Sequence, residues 1–204
     1  DECRRRLGLP LDRPIIGYVG RFQTMGMEKG IGKLIAAMPR TRPVNGNPPL
    51  LLCVGGPMDA VPGYLAEASR LGVPESNLRF VNRVPNSEVP FWLRACDVLT
   101  IPLPFSEFSA YFTSPMKLFE YMASGAPIVG SDLPSLKEIL HHGDNGWLVE
   151  PNSPEALSEG LNHVLADPGS AQDMAGRALR DVRQYSWRDR AMGILEACGW
   201  SSAS

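Results

Sequence analysis

Tyr111-Phe-Thr-Ser-Pro-Met-Lys-Leu-Phe-Glu-Tyr-Met-Ala-Ser-Gly-Ala-Pro-Ile-Val-Gly-Ser-Asp132 reads as loop, helix, turn and strand. Thr113 or Ser114 can cap the helix, because a hydroxyl accepts a backbone N–H of the first turn. Pro115 suits the first helical position, where its missing N–H costs nothing. Met116, Phe119 and Met122–Ala123 supply an apolar stripe at helical spacing. Gly125 stops the helix, with Pro127 just beyond, and Ile128-Val129 opens a buried strand. The first turn holds no carboxylate, so it presents N–H groups and a positive dipole end, an arrangement suited to an anion. Lys117 is the odd residue. A cation there opposes the dipole at a cost of ~0.3–1 kcal/mol, and glutamate is the usual choice. Two readings remain open: an anion sits between Lys117 and the helix start, or Lys117 reaches solvent or pairs with Glu120.

Working outward, Ile15–Gly20, Leu50–Gly56, Asn77–Val81, Asp97–Ile101, the Ile128 run and Gly146–Val149 are short apolar strands. Helical stretches separate them, over about 31–38, 60–71, 87–95 (capped by Asn86 or Ser87), 115–124 and 135–141. Further helices follow over about 153–166, capped by Ser153, 171–184 and 187–198. Strands apolar on both faces, alternating with helices, predict an α/β fold. It is a Rossmann-like, doubly wound parallel sheet of about six strands. Ligands of such sheets bind beyond the carboxyl ends of the strands. Gly20-Arg21, Gly55-Gly56, Asn82-Arg83 and the loop from Pro102 to Thr113 share that rim.

The 204 residues suffice for one core, and 44% hydrophobic with 21% charged residues describes a globular domain. A net charge of −2 argues against a nucleic-acid partner. Four scattered cysteines form no ligand cluster; Cys53 and Cys96 read as small buried hydrophobes in a reducing compartment. With no signal peptide and no apolar run near ~20 residues, a cytoplasmic location is expected. Gly17, Gly20 and Gly26 do not make the dinucleotide fingerprint, and no acid ends the second strand. His141-His142-Gly-Asp144 lacks a third spaced ligand and reads as a surface turn. No metal site and no cofactor are expected.

Ser114-Pro-Met-Lys-Leu-Phe-Glu-Tyr-Met-Ala-Ser-Gly-Ala-Pro-Ile-Val-Gly-Ser-Asp132, with Gly20-Arg21 and Asn145-Gly-Trp-Leu-Val149, resembles glycosyltransferase family 4. These are retaining enzymes of GT-B fold that use nucleotide diphosphate sugars. The resemblance covers nearly the whole chain and implies the C-terminal, donor-binding domain, 1–204. Residues 1–13 would be a linker remnant and 185–204 a C-terminal helix with a frayed tail. An N-terminal acceptor domain would be a covalent partner absent here, through which peripheral association with a membrane would run. Alone, the domain is expected to be inactive.

The resemblance implies that Gly20, Arg21 and Lys29, with the helix start at Thr113, Ser114, Pro115, Met116 and Lys117, hold the donor's diphosphate. The loop carrying Lys29 is a few residues longer than the family's form. Glu120 matches the glutamate that bonds the ribose hydroxyls, and a carboxylate can accept from both of them. Asn82-Arg83-Val84 matches the loop along the nucleobase. The family's second glutamate, eight positions before Glu120, is replaced by Phe112. Glu107 is the nearby carboxylate that a loop shift would bring in, and no catalytic residue is assigned. Alternatives are a nucleotide-sugar epimerase or another non-transferase of the same fold, and a non-catalytic nucleotide-binding module.

Overall fold

The computed structural model describes residues 1–200 other than Met25 and Pro115. The role of Pro115 at the helix start, and the tail over 201–204, lie outside the described residues. The chain opens with α1 (Glu2–Leu7) and runs through β1 (Ile15–Arg21), the short β2 (Gln23–Thr24) and β3 (Met27–Glu28), and α2 (Ile31–Ala37). Then come β4 (Leu50–Gly56), α3 (Val61–Arg70), β5 (Leu78–Asn82), α4 (Val89–Arg94), β6 (Val98–Ile101) and α5 (Glu107–Tyr111). The last part holds α6 (Met116–Ser124), β7 (Ile128–Ser131), α7 (Pro134–Lys137), β8 (Trp147–Val149), α8 (Pro154–Ala166), α9 (Pro168–Asp181) and α10 (Trp187–Ala197).

Six strands form one sheet in the order β5-β4-β1-β6-β7-β8, and each neighbouring pair is parallel. The order is that of the dinucleotide-binding doubly wound fold, with winding reversed between β1 and β6. Alternation along each strand feeds two cores. Ile15, Val19, Leu52, Leu99 and Ile128 pack under α4 and α6, whereas Ile16, Leu51, Cys53, Val98 and Val129 pack under α2, α3 and α8. Burial on both faces is why these strands are apolar without a polar alternation.

β1 pairs with β4 over its whole length, Ile15 to Arg21, but meets β6 only at Ile16–Val98 and Gly17–Leu99. Beyond Gly17 the two strands diverge and open a crevice at the carboxyl end of the sheet. Gly30, at the start of α2, closes one side of it: its φ is 95°, and a Cβ there would lie 1.8 Å from the Pro102 carbonyl oxygen. Only glycine permits that approach.

Several boundaries differ from those expected. Glu2–Leu7, within the 1–13 stretch expected to be a linker remnant, is a helix bound to the domain through Arg4, whose guanidinium bonds the Ala95 carbonyl and Asp97. The cap of α4 is Glu88 rather than Asn86 or Ser87, because the helix starts later, with Pro90 in its first turn. The loop from Pro102 to Thr113 contains α5, closed by a reciprocal capping box between Ser106 and Ser109. A helix of five residues is too short to show as periodicity. α6 buries Leu118, Tyr121 and Met122, while Met116 and Ala123 are exposed. Of the expected stripe, Met122 is buried and Phe119 packs against the core, so the period and part of its phase were legible; Leu118 and Tyr121 complete the buried face. Gly125 ends α6 with φ 74°, and Ser153 caps α8 by accepting the Ala156 N–H at 3.0 Å, both as expected.

Candidate functional site

Where β1 leaves β6, Val19 has no strand partner on the crevice side. Tyr121 supplies one from α6. Its hydroxyl accepts the Val19 N–H at 2.7 Å and donates to the Val19 carbonyl at 2.9 Å. One phenol thereby satisfies both backbone groups that the diverging strands leave over. Lys117 precedes Tyr121 by four residues, so both side chains lie on one face of α6. The Lys117 ammonium therefore arrives above the end of β1. It donates to the Tyr18 hydroxyl at 2.5 Å and lies 4.0 Å from the centre of that ring. A Cβ on Gly20 would come within 2.8 Å of it, so the glycine makes room.

Among the described residues no carboxylate forms an ion pair with Lys117. Neither simple alternative for this residue holds, since it neither pairs with Glu120 nor extends freely into solvent. Burial of the ammonium lowers its pKa to about 7, and the nearby charge of Lys29 adds to the effect.

The extra residues of the first loop fold into the β2–β3 hairpin. The hairpin returns the chain to the sheet, where the Lys29 N–H donates to the Phe22 carbonyl at 2.9 Å and the Phe22 N–H to the Gly56 carbonyl at 2.7 Å. The insertion therefore leaves Lys29 on the rim. Glu28 turns the other way: its Oε1 accepts the Gly32 N–H at 2.9 Å, so a carboxylate already serves the start of α2. The start of α6 has no acid in its first turn.

Arg21 ends β1 with its side chain exposed. Glu120 is exposed on α6, in a groove of about 390 Å³ shared with Asn86, Val89, Leu93 and Arg94. Asn82 and Arg83 are exposed at the end of β5, where Asn82 Oδ1 accepts the Arg83 N–H, and Val84 packs against the core. Thr113 donates its hydroxyl to the Phe108 carbonyl at 2.9 Å, and Ser114 and Met116 are exposed beside it. Phe112 is 74% exposed and Glu107 is exposed in the first turn of α5. The rim thus gathers Gly20, Arg21, Lys29 and Lys117 about the end of β1, with Glu120 facing the α4 side.

Two residues of this site escaped sequence reasoning. Tyr18 sits within an apolar run, and Tyr121 lies between the stripe residues Phe119 and Met122 without belonging to the stripe, so neither was singled out. The i, i+4 spacing of Lys117 and Tyr121, opposite a strand carrying a tyrosine, was the available signal. Asn145 is buried and structural: it accepts the His141 N–H and donates to the Ile139 carbonyl and to Asp181. His142 Nδ1 accepts the Leu148 N–H at 3.1 Å.

The chain is a doubly wound parallel α/β domain with basic side chains at its switch point, the place where ligands of such sheets bind. Comparison with known proteins gives the family: residues 13–167 match the model for glycosyl transferases group 1, and the chain belongs to it. It is similar to the D-inositol 3-phosphate glycosyltransferase of Thermobispora bispora, at 29% identity over 198 residues, which are 95% of this chain and 45% of that protein. The chain thus spans less than half the length of this curated relative. Sucrose-phosphate synthase from Thermosynechococcus elongatus superposes with a TM-score of 0.78 at 26% identity, covering 99% of this chain and 49% of that one. The Anabaena protein HepE, crystallised with UDP-glucose, superposes with a TM-score of 0.77 at 23% identity, covering 97% of this chain and 51% of that one. Both likenesses fit the GT-B type of fold. Among the described residues no helix is long and apolar enough to cross a membrane.

Proposed function

We propose that this chain is the C-terminal donor-binding half of a retaining glycosyltransferase, which takes a nucleotide diphosphate sugar and transfers the sugar to an acceptor held by a second domain. The observation that carries the reading is the Lys117 ammonium, half-buried at the switch point against Tyr18 and, among the described residues, without an ion-paired carboxylate. A buried cation lacking a counter-ion is costly unless an anion joins it. Arg21, Lys29 and the α6 start at Thr113, Ser114 and Met116 complete a clamp of charge and N–H groups for a diphosphate. Glu120 accepts the ribose hydroxyls from its groove, and the base lies along Asn82, Arg83 and Val84. As the sugar bond breaks, negative charge grows on the leaving diphosphate. Fixed cations at its oxygens stabilise that charge without a divalent metal. Phe112 stands where the family glutamate would face the sugar, so sugar recognition rests on other groups, with Glu107 a candidate from α5.

Calorimetry of the 204-residue chain against UDP, GDP and ADP, with and without EDTA, tests the reading. Binding of one nucleotide that survives EDTA, with no sugar transfer by this chain alone, is the expected result. Binding that requires magnesium would refute the metal-free clamp.

A further inference from the structure

Tyr18 lies fully buried in β1, and its hydroxyl joins two parts of the clamp. It accepts from Lys117 Nζ at 2.5 Å and donates to the Arg21 carbonyl at 2.6 Å. Its ring continues an aromatic cluster, 6.2 Å between centroids from Phe22, and a phenylalanine would fill the same space. The hydroxyl is therefore explained by its two partners and not by packing. We propose that Tyr18 is a positioning residue of the diphosphate site, and that through it anion binding at the end of β1 is coupled to protonation of Lys117. The proposal rests on the diphosphate reading above.

The groups facing Lys117 give the ammonium no ion-paired carboxylate among the described residues. Tyr18 and Gly20 come from β1, Lys29 from beyond the hairpin, Cys53 from β4 and Glu120 from its own helix. Burial pushes the Cys53 thiol and the Tyr18 phenol up, so both stay neutral. Glu120, one turn on along the same helix, is exposed, so water screens its charge. Lys29 repels. Above neutral pH the amine is consequently in large part neutral in the ligand-free chain. A diphosphate beside Nζ favours the charged form. One solvent proton then adds to the Nζ lone pair as the ligand enters, and leaves with it. The phenol keeps its proton on the Arg21 carbonyl throughout.

The probe is a panel of UDP-glucose, GDP-mannose and ADP-glucose, whose diphosphate diesters do not titrate between pH 6.5 and 8.5. For the member that binds at pH 7, the wild-type dissociation constant should rise between pH 7 and 8.5, approaching tenfold per pH unit. Calorimetry in buffers of different ionisation enthalpy should show proton uptake. Tyr18→Phe should bind about five- to tenfold more weakly at pH 7, with its loss of affinity starting at lower pH. Lys117→Arg should bind with no alkaline loss, and Lys117→Met should bind weakly with a flat profile. A flat wild-type profile with Arg21-dependent binding overturns this proposal alone. So does a Tyr18→Phe profile that overlays the wild type. Absence of binding across the panel, or binding indifferent to Arg21→Ala, overturns the diphosphate reading and this inference with it.

Discussion

Lys117→Met in the ligand-free chain isolates the energetic oddity of the site. In the unfolded chain this lysine titrates near its ordinary value of about 10.4; in the folded chain burial brings it to about 7. Between those values the unfolded state binds the extra proton, so stability rises with pH. The penalty of the buried charge is full below about pH 7 and is relieved as pH climbs toward 10. From pH 7 to 8.5 the relief amounts to about 1–2 kcal/mol, since one proton contributes at most ~1.4 kcal/mol per pH unit. Cys53, Cys96, Tyr18 and Tyr121 act in the opposite sense. Burial raises each of them, so their unfolded forms lose protons first and stability falls at higher pH. Subtracting the variant's profile from the wild type's removes their share. Urea unfolding at pH 7, 7.5, 8 and 8.5 is the assay. Wild type should gain about 1–2 kcal/mol relative to Lys117→Met across the range. Parallel profiles would mean that the ammonium is solvated, and the argument for an anion at the switch point would lose its basis.

Arg21→Ala should weaken a nucleoside diphosphate by ~1.5–3 kcal/mol and leave the bare nucleoside unaffected in calorimetry; equal losses for both would remove Arg21 from the clamp. Glu120→Gln should weaken a ribonucleotide more than its dideoxy counterpart, and equal losses would place Glu120 outside the ribose contact. Tyr121→Phe should cost ~2–4 kcal/mol in urea unfolding, because it leaves both crevice-side groups of Val19 without a partner. A loss below ~0.5 kcal/mol would show that water replaces the phenol at no cost.

Apolar strands alternating with helices determined the layered α/β fold from sequence alone, because burial on both faces leaves a strand no polar alternation to show. Local rules held where the partners are local. Ser153 caps a helix whose N–H groups lie two and three residues away, and Gly125 turns the chain at its own φ. The glycine exits and the exposed Arg21 at the end of β1 were visible for the same reason: each sits in one short segment.

What the tertiary structure decided is every relation across long sequence separations. It placed β6 beside β1 and opened the crevice after Gly17. It turned Tyr121 inward, because only the diverging strands create two unpaired backbone groups for a phenol to serve. It set the ammonium of Lys117 against Tyr18, 99 residues earlier in the chain. The sequence marked Lys117 as misplaced for a helix start; the fold supplied its surroundings, a half-buried position above the end of β1 against the Tyr18 hydroxyl and ring.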